Sequence, residues 1–393
     1  MKPGLRPPLL RCIAQVCGIL NKHLIFRHPA QSAHDKTIDL MRLLERMPLA
    51  VQCCKLARQL ALPKTPITVG GVALSQRLIV AAGLVKGDGF ACEEEALKAV
   101  AADGRNIIPG WAVIPALLGP VEFGSFTRHP RPGNAGTVVW RDTGAQSTQN
   151  RVGLRNPGAR AAARFLGDRR QLLPAEFGIN IAVSPGVDTI DQQQRDIIES
   201  LSFFLDAGVI PRWFTLNLSC PNTEDDPQGY QLESETRQLC GAFIACLRSR
   251  KLNTPLWVKI SPGLASQQYR KLMRIFHELG VRAVIATNTM AKPSPDDDSV
   301  QAGVGGGELF PDALDAVRTL LAEKSRMNYA VDVIACGGIL DGASFREYRK
   351  LGVKAGQYWS ALVYRGPFAA AIIEKEMAQH DHEYETVRRE SLA

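Results

Sequence analysis

The sequence predicts an α/β protein whose main body is a parallel (β/α)8 barrel, the TIM barrel, preceded by an N-terminal helical extension. From Arg77 onward, eight short apolar runs follow one another, each ending in Gly, Ser, Asn or Pro. Helical stretches fit between most of these runs, and eightfold alternation of strand and helix is typical of the barrel. A doubly wound open sheet is the alternative, but the first strand lacks the GxGxxG pattern of its dinucleotide-binding members.

The composition is that of a soluble globular protein. Hydrophobic residues make up 45% of the 393 residues and charged residues 22%, and no uncharged apolar run reaches the roughly 18 residues that a membrane-spanning helix needs. The nine cysteines are never spaced as CxxC, so we expect a reducing compartment and no metal. The net charge of +8 is spread along the chain, which argues against nucleic acid binding.

The first 34 residues carry basic side chains and no acidic one. Their apolar segment, residues 9–20, is interrupted by Arg11 and is too short to span a bilayer. It also lacks the small-residue cleavage site of a secretory signal. Two interpretations stay open: a basic amphipathic segment lying on an anionic membrane surface, and a frayed terminus or targeting peptide.

Residues 36–61 carry generous apolar faces that are split by Pro48, which predicts two short helices. Packing on the main body and formation of a ligand or membrane groove are equally compatible with these faces. We expect residues 1–62 to form a basic leader with a helical extension, and residues 63–393 to form the barrel.

Eight strands and six of the helices between them follow from the apolar patterns. The predicted strands are Leu78–Ala82, Val121–Gly124, Phe177–Ala182, Trp213–Leu218, Leu256–Ile260, Ala283–Thr287, Val331–Cys336 and Gly356–Ser360. The predicted helices are Ala91–Ala102, Asp188–Asp206, Leu232–Arg250, Ser266–Leu279, Pro311–Glu323 and Gly342–Leu351. The long segment from Ser125 to Asn150 is rich in Gly, Pro, Arg and Thr, which is typical of a functional lid or insertion.

The stretch FTLNLSCPNT, residues 214–223, places a thiol at the mouth of the fourth strand. Alternation of apolar and polar residues predicts a strand, and Pro221 ends it because proline has no N–H to donate. Cys220 then lies between two amides, Asn217 and Asn222, which suit a planar ligand with carbonyl and N–H groups. A lone cysteine is more often a small core residue, but this setting favours chemistry.

Barrel enzymes build their active sites at the carboxyl ends of the strands, and these ends are polar or glycine-containing here. A glycine pair, Gly337 and Gly338, follows strand seven and Ser360 follows strand eight, where such barrels bind phosphate through backbone N–H groups; a plain turn is the alternative. Lys259 closes an apolar strand, either to stabilise an anionic cofactor ring or as half of a buried ion pair. Metalloprotease, esterase and glycosidase motifs are absent from these ends.

Nine segments in order resemble the dihydroorotate dehydrogenase family, from about residue 34 to about residue 375. They are AAGLVKGDG (81–89), VEFGSFTRHPRPGN (121–134), NRVGL (150–154), GINIA (178–182), NLSCPNT (217–223), VKISP (258–262), ATNT (286–289), ACGGI (335–339) and QYWSALVYRGP (357–367). The basic leader and helical stretch before residue 62 resemble the membrane-associated class of that family, in which the extension guides a quinone towards the flavin.

The resemblance implies an FMN enzyme that oxidises (S)-dihydroorotate to orotate in de novo pyrimidine biosynthesis. Cys220 would be the general base that takes the C5 proton while the C6 hydride moves to flavin N5, and electrons would pass to a membrane quinone. The implied substrate residues are Lys86, Asn150, Asn217, Asn222, Asn288 and Thr289. The implied FMN residues are Ala82, Gly83, Ser125, Asn180, Asn217, Lys259, Thr287, Gly307, Gly338, Trp359 and Ser360.

The resemblance also implies that this is a peripheral membrane protein at the cytoplasmic face of a bacterial inner membrane. The mitochondrial inner membrane is the alternative location. Three positions depart from the membrane-associated class, which usually has serine at Cys220, aspartate at Val85 and tyrosine at Trp359. The segment after Thr223 also departs from the family pattern. Another dihydropyrimidine or enoate substrate, a soluble acceptor, and a catalytically silent barrel that binds a partner therefore remain as alternatives.

Overall fold

The computed structural model describes residues 25–102, 105–218 and 230–390. Its strands are β1 Ile67–Val69, β2 Val72–Leu74, β3 Leu78–Val85, β4 Val121–Phe126, β5 Val139–Asp142, β6 Ser147–Asn150, β7 Phe177–Ala182, β8 Trp213–Asn217, β9 Leu256–Ile260, β10 Ala283–Ala286, β11 Met290–Ser294, β12 Asp297–Gly306, β13 Asp332–Cys336 and β14 Gly356–Tyr358. Eight strands close a barrel in the order β3-β4-β7-β8-β9-β10-β13-β14, with β14 returning to β3. All neighbouring pairs are parallel, so the predicted barrel is confirmed.

All eight predicted strands exist, and their ends differ from the prediction by a few residues. The first strand extends to Val85 and the second to Phe126. The eighth stops at Tyr358, two residues early, because Ser360 already begins a helix. Irregular pairing in the first two strands explains why their apolar pattern underestimates their length.

The helices surround the barrel. They are α1 Ala30–Arg46, α2 Ala50–Ala61, α3 Glu93–Ala101, α4 Val113–Leu118, α5 Ala159–Gly167, α6 Ile190–Asp206, α7 Tyr230–Ser249, α8 Ser266–Leu279, α9 Phe310–Met327, α10 Gly342–Lys350, α11 Ser360–Arg365 and α12 Ala369–Glu390. Two short 3-10 helices span Arg170–Leu172 and Gly307–Leu309. The six helices predicted between the strands are thus confirmed: Ser266–Leu279 has the predicted bounds, and the other five differ at one or both ends.

The helical extension consists of α1 and α2, which meet at Pro48 as predicted. Helix α1 is longer than expected, with 17 residues. It ends at Arg46 because Met47, which precedes the proline, is extended, with φ −91° and ψ 118°. In the part of the chain that the structure describes, none of the helices combines the length and apolar character needed to cross a bilayer.

A four-stranded antiparallel sheet lies over the carboxyl ends of the barrel strands, in the order β11-β12-β6-β5. Half of this upper sheet comes from the predicted insertion at residues 125–150, and half from the connection after β10. None of its strands was expected from the sequence, because they are short or polar and lack a clear apolar alternation. Helix α1 packs on β5, where the Val138 N–H donates to Gln31 Oε1 over 3.1 Å.

The opposite end of the barrel is closed by the hairpin β1–β2, which the sequence pattern also did not reveal. Its turn is Gly70-Gly71, with φ angles of +55° and +78°, as a tight hairpin turn requires. The Gly70 carbonyl accepts from Trp257 Nε1 over 3.0 Å. Trp257 in turn stacks on Trp213 with 4.5 Å between ring centroids. A hydrophobic cluster inside the barrel continues upward from these two indoles.

Candidate active site

A cavity of about 510 Å³ lies at the carboxyl ends of the barrel strands, beneath the upper sheet. Fourteen of the predicted site residues line it: Ala82, Gly83, Lys86, Ser125, Asn150, Asn180, Asn217, Lys259, Thr287, Asn288, Thr289, Gly338, Trp359 and Ser360. Cys220 and Asn222 lie outside the described residues. The strand ends therefore converge on one cavity, as the barrel topology predicts.

Gly307 is placed differently from the two glycines that precede it. Gly305 and Gly306 line the cavity, whereas Gly307 does not. The Gly307 N–H already donates to the Gln146 carbonyl over 3.3 Å, and a Cβ at this position would lie 2.0 Å from the Ala145 carbonyl oxygen. We therefore expect the backbone of Gly305 and Gly306, and not that of Gly307, to approach a ligand in the cavity.

The charge of the cavity wall has one sign. Among the described residues that line the cavity, Lys86, Arg151 and Lys259 are cationic and none is an aspartate or glutamate. Cationic walls without carboxylates concentrate anions in a cleft. The cavity is accordingly suited to ligands that carry phosphate or carboxylate groups.

A chain of polar side chains connects three barrel strands at the cavity floor. Asn288 Nδ2 donates to Asn217 Oδ1 over 2.9 Å, and Asn217 Nδ2 donates to Ser125 Oγ over 3.3 Å. These residues come from strands far apart in sequence, and only closure of the barrel brings them together. The chain orients each amide, so that a planar ligand would meet a defined pattern of donors and acceptors.

The glycine corner lies between β13, β14 and the upper sheet. Gly338 has φ +67°, and an added Cβ would lie 2.4 Å from the Phe310 Cβ. At Gly306, with φ +92°, an added Cβ would lie 2.5 Å from the Gln146 carbonyl oxygen. Ser360 Oγ lies 2.7 Å from Thr148 Oγ1 at the same corner. The packing around both positions therefore requires glycine. Because Gly306, Gly338 and Ser360 all line the cavity, this corner presents backbone and hydroxyl groups that suit an anion.

Lys259 lies on β9 with only 6% of its surface exposed. Its Nζ donates to Gln357 Oε1 over 3.3 Å. Within the described ranges, no carboxylate oxygen lies within 4.0 Å of Lys259 Nζ. The alternative of a direct buried ion pair therefore has no support from these residues, and the ammonium stays at the cavity wall.

Asn180 is fully buried on β7 and has one unsatisfied atom. Its Nδ2 donates to Glu122 Oε1 over 2.5 Å, while its Oδ1 has no hydrogen-bond partner in the described structure. An unpaired buried acceptor is costly unless a ligand satisfies it. Because Asn180 lines the cavity, a ligand N–H would relieve this cost.

Lys86 stands half-buried at the cavity wall, opposite the upper sheet. Burial and, to a smaller extent, the nearby charge of Arg155 lower its pKa to about 8. Placing an anion beside this ammonium would offset both effects, since an opposite charge favours the charged form. Lys86 is thus suited to bind a carboxylate.

The sequence reasoning missed several cavity residues, and two of them, His34 and Cys336, are titratable groups with altered pKa values. His34 reaches the cavity from α1, and burial, aided by Lys86, lowers its pKa to about 4. Its spacing from Ile38 and Met41, four and seven residues, could have revealed that it shares their inward face. Cys336, at the end of β13, is a hydrogen-bond partner of Lys259, and burial raises its pKa.

Of the departures from the family pattern, two are visible. Val85 is fully buried in the outer hydrophobic core and does not line the cavity. Trp359 does line it. The segment after Thr223 lies outside the described residues up to Gly229.

Comparison with known proteins agrees with this architecture. Residues 112–380 match the sequence model of a family described as dihydroorotate dehydrogenase. A protein of Bordetella parapertussis named dihydroorotate dehydrogenase (quinone) is 30% identical over 379 residues, which cover 92% of this chain and 97% of that protein. A protein of Leptothrix cholodnii with the same name is 28% identical over 360 residues, covering 88% of this chain and 94% of the relative.

Among solved structures, the dihydroorotate dehydrogenase of Eimeria tenella in complex with ferulenol superposes with a TM-score of 0.63 at 20% identity. The match covers 86% of this chain and 93% of that one, and it supports the fold. The family match spans well over half of the sequence and coincides with the barrel that builds the cavity. The chain therefore belongs to the dihydroorotate dehydrogenase family.

Proposed function

We propose that this protein oxidises (S)-dihydroorotate to orotate in de novo pyrimidine biosynthesis, with FMN as cofactor and a membrane quinone as electron acceptor. The observation that carries the proposal is the cavity at the strand ends, whose described wall is cationic, free of carboxylates and crossed by an oriented amide chain. Such a wall suits an anionic flavin nucleotide and a small ring that carries a carboxylate.

The residues present fit FMN in two respects. Gly306, Gly338 and Ser360 line one corner of the cavity with backbone and hydroxyl groups, which suits a phosphate. The unpaired Asn180 Oδ1 suits a ring N–H. Ala82, Gly83, Ser125, Asn217, Thr287 and Trp359 would complete the flavin site. Bound FMN would supply the hydride acceptor, and Lys259 would offset negative charge on the ring.

The substrate would bind to the amide chain and to Lys86. The amides of Asn217 and Asn288, with Asn150, Asn222 and Thr289, would pair with the carbonyl and N–H groups of the ring. The Lys86 ammonium would hold the carboxylate. These contacts would orient C5 and C6 of the substrate and exclude water from them.

Cys220 is our candidate for the general base that removes the C5 proton. It lies outside the described residues, so its support is its position in NLSCPNT, directly after the strand that carries Asn217. A thiol has a pKa near 8.5 that cationic neighbours lower. It can therefore act as a base near neutral pH without a second residue to activate it.

The acceptor route would enter beside the helical extension. His34 of α1 and Val139 of β5 form one wall of the cavity. Large apolar side chains are exposed on α1, on α2 and on the connection between them: Leu40, Leu43, Met47, Leu49, Leu56 and Leu60. We propose that this helical surface, together with the basic leader before it, lies on a membrane and admits the quinone, while residues 63–393 carry the chemistry.

The test is anaerobic mixing of the purified protein with dihydroorotate while the flavin absorbance is followed, for wild type and Cys220→Ala. We expect wild type to bleach rapidly and the variant to bleach at least about 100-fold more slowly, since general bases contribute that much. Cys246→Ala on α7 is the matched control and should bleach like wild type. Reoxidation by a quinone, and not by a soluble acceptor, would identify the acceptor.

Two outcomes would contradict the proposal in different ways. A yellow protein that does not bleach would leave FMN in place and point to another dihydropyrimidine or an enoate. A colourless protein that cannot be reconstituted with FMN would favour a silent barrel.

A further inference from the structure

Glu122 is a fully buried carboxylate whose contacts the proposed reaction does not explain. It lies on β4 with 0% exposure. Oε1 accepts from Asn180 Nδ2 over 2.5 Å. Oε2 accepts from Gln357 Nε2 over 2.7 Å and from Trp213 Nε1 over 3.3 Å. Both oxygens of Glu122 therefore receive only N–H donors.

Because a carboxylate only accepts, Glu122 decides which end of each neighbouring amide faces it. The NH2 group of Asn180 must turn inward, which leaves Asn180 Oδ1 as an unpaired acceptor. The NH2 group of Gln357 likewise turns inward, which leaves Gln357 Oε1 to accept from Lys259 Nζ over 3.3 Å. Glu122 therefore determines both the unpaired acceptor at Asn180 Oδ1 and the orientation of Lys259.

The same arrangement separates two buried charges. Glu122 and Lys259 are connected through the neutral Gln357, and no direct contact between them is present. A direct ion pair would draw the ammonium away from the cavity, whereas the amide bridge leaves it at the wall that Lys259 lines. Its charge is still partly offset by the carboxylate, since charges in a buried site are weakly screened.

We propose that Glu122 is a positioning residue that sets both the affinity for FMN and its reduction potential. It presents Asn180 Oδ1 to the ring and holds Lys259 through Gln357. This inference rests on the proposed function, because it requires that FMN occupies the cavity.

The decisive variant is Glu122→Gln, which is nearly isosteric but has one donor end and one acceptor end. Either Asn180 or Gln357 must then reverse its amide, so a donor replaces an acceptor at the ring or at Lys259. We expect the affinity for oxidised FMN to fall about tenfold more than that for reduced FMN. By the thermodynamic cycle this raises the potential of bound FMN by about 30 mV for a two-electron couple. Loss of the negative charge acts in the same direction, because it favours the more anionic reduced ring.

The matched control is Glu374→Gln. Glu374 is also a buried carboxylate, 7% exposed, but it pairs with Arg77 away from the cavity. This variant should lower the melting temperature without moving the FMN potential. Trp213→Phe, which removes only the longest of the three bonds to Glu122, should also leave the potential unchanged.

FMN affinity is measured by fluorescence titration of the apoprotein, and the potential by spectroscopic titration against a reference dye. An unchanged affinity and potential in Glu122→Gln would refute the inference while leaving the proposed function intact, as would an equal shift in Glu374→Gln. If wild type itself binds no FMN, the proposed function fails first. If Glu122→Gln does not fold, Gln357→Met decides. It removes the amide between Lys259 and Glu122, so the ammonium can move towards the carboxylate and away from the ring, and the potential should fall. An unchanged potential in Gln357→Met would refute the inference.

Discussion

Lys86 is the residue through which pH should control ligand binding. Burial lowers its pKa to about 8, so in the free protein the ammonium is lost as the pH rises through that value. Binding of a carboxylate requires the charged form. We expect the dissociation constant of orotate to be constant below pH 7 and to rise about tenfold per pH unit above pH 8. Isothermal titration between pH 6.5 and 9 measures this dependence.

Lys86→Arg provides the control, because a guanidinium stays protonated over this range. Its orotate affinity should be weaker or equal at pH 7 but should not fall between pH 8 and 9. A wild-type affinity that stays flat up to pH 9 would show that Lys86 does not hold the carboxylate.

The motifs predict which residues lie at the cavity, but not how their side chains are oriented. The motifs predict that Asn217 and Asn288 carry the ligand, and the structure joins them in one chain at the cavity. The same motifs contain Glu122 and Gln357, but a sequence does not show which amide end faces which partner. That orientation depends on contacts between strands far apart in the chain.

The helices α1 and α2 carry a surface that ordinary packing does not explain. Leu49, which directly precedes α2, is 71% exposed and Leu56 is 57% exposed. Because Leu49 has helical backbone angles, φ −96° and ψ −8°, the spacing of seven residues places both side chains on one face. We expect the double variant Leu49→Gln/Leu56→Gln to bind anionic vesicles at least about tenfold more weakly, because each buried leucine contributes about 1.5–3 kcal/mol. Cosedimentation with vesicles measures this, and the bleaching rate with dihydroorotate should not change.

Leu172→Gln is the matched control, since Leu172 is equally exposed at 71% but lies in a 3-10 helix outside the helical extension. This variant should bind vesicles like wild type. Equal loss in both variants would show a general effect of surface hydrophobicity, and no loss in the double variant would show that the helices do not contact the membrane.

The hairpin β1–β2 closes one end of the barrel, and the stability of the molecule should depend on its turn. In Gly70→Ala, the new Cβ would lie 2.3 Å from Trp257 Nε1, which would disturb the stack with Trp213. We expect the free energy of unfolding to fall by about 1–3 kcal/mol more than in the control, with unchanged FMN affinity. Denaturant titration of both variants gives this difference.

The control here is Gly352→Ala. Gly352 also has a positive φ, +99°, but an added Cβ would meet no atom within 4 Å. It therefore reports the backbone cost alone. An equal loss in the two variants would mean that the indole contact contributes nothing to stability.

The sequence alone determined the barrel, because its strands are apolar runs of a length and spacing that local pattern reveals, as in Leu256–Ile260. It also determined that polar residues lie at the carboxyl ends of these runs, as Lys259 does in Leu256–Ile260. Only the tertiary structure decided the upper sheet and the closing hairpin, since these depend on pairing between segments such as β6 and β12. The tertiary structure also decided the hydrogen-bond network from Glu122 to Lys259, because buried polar groups take the partners that the closed barrel brings within reach.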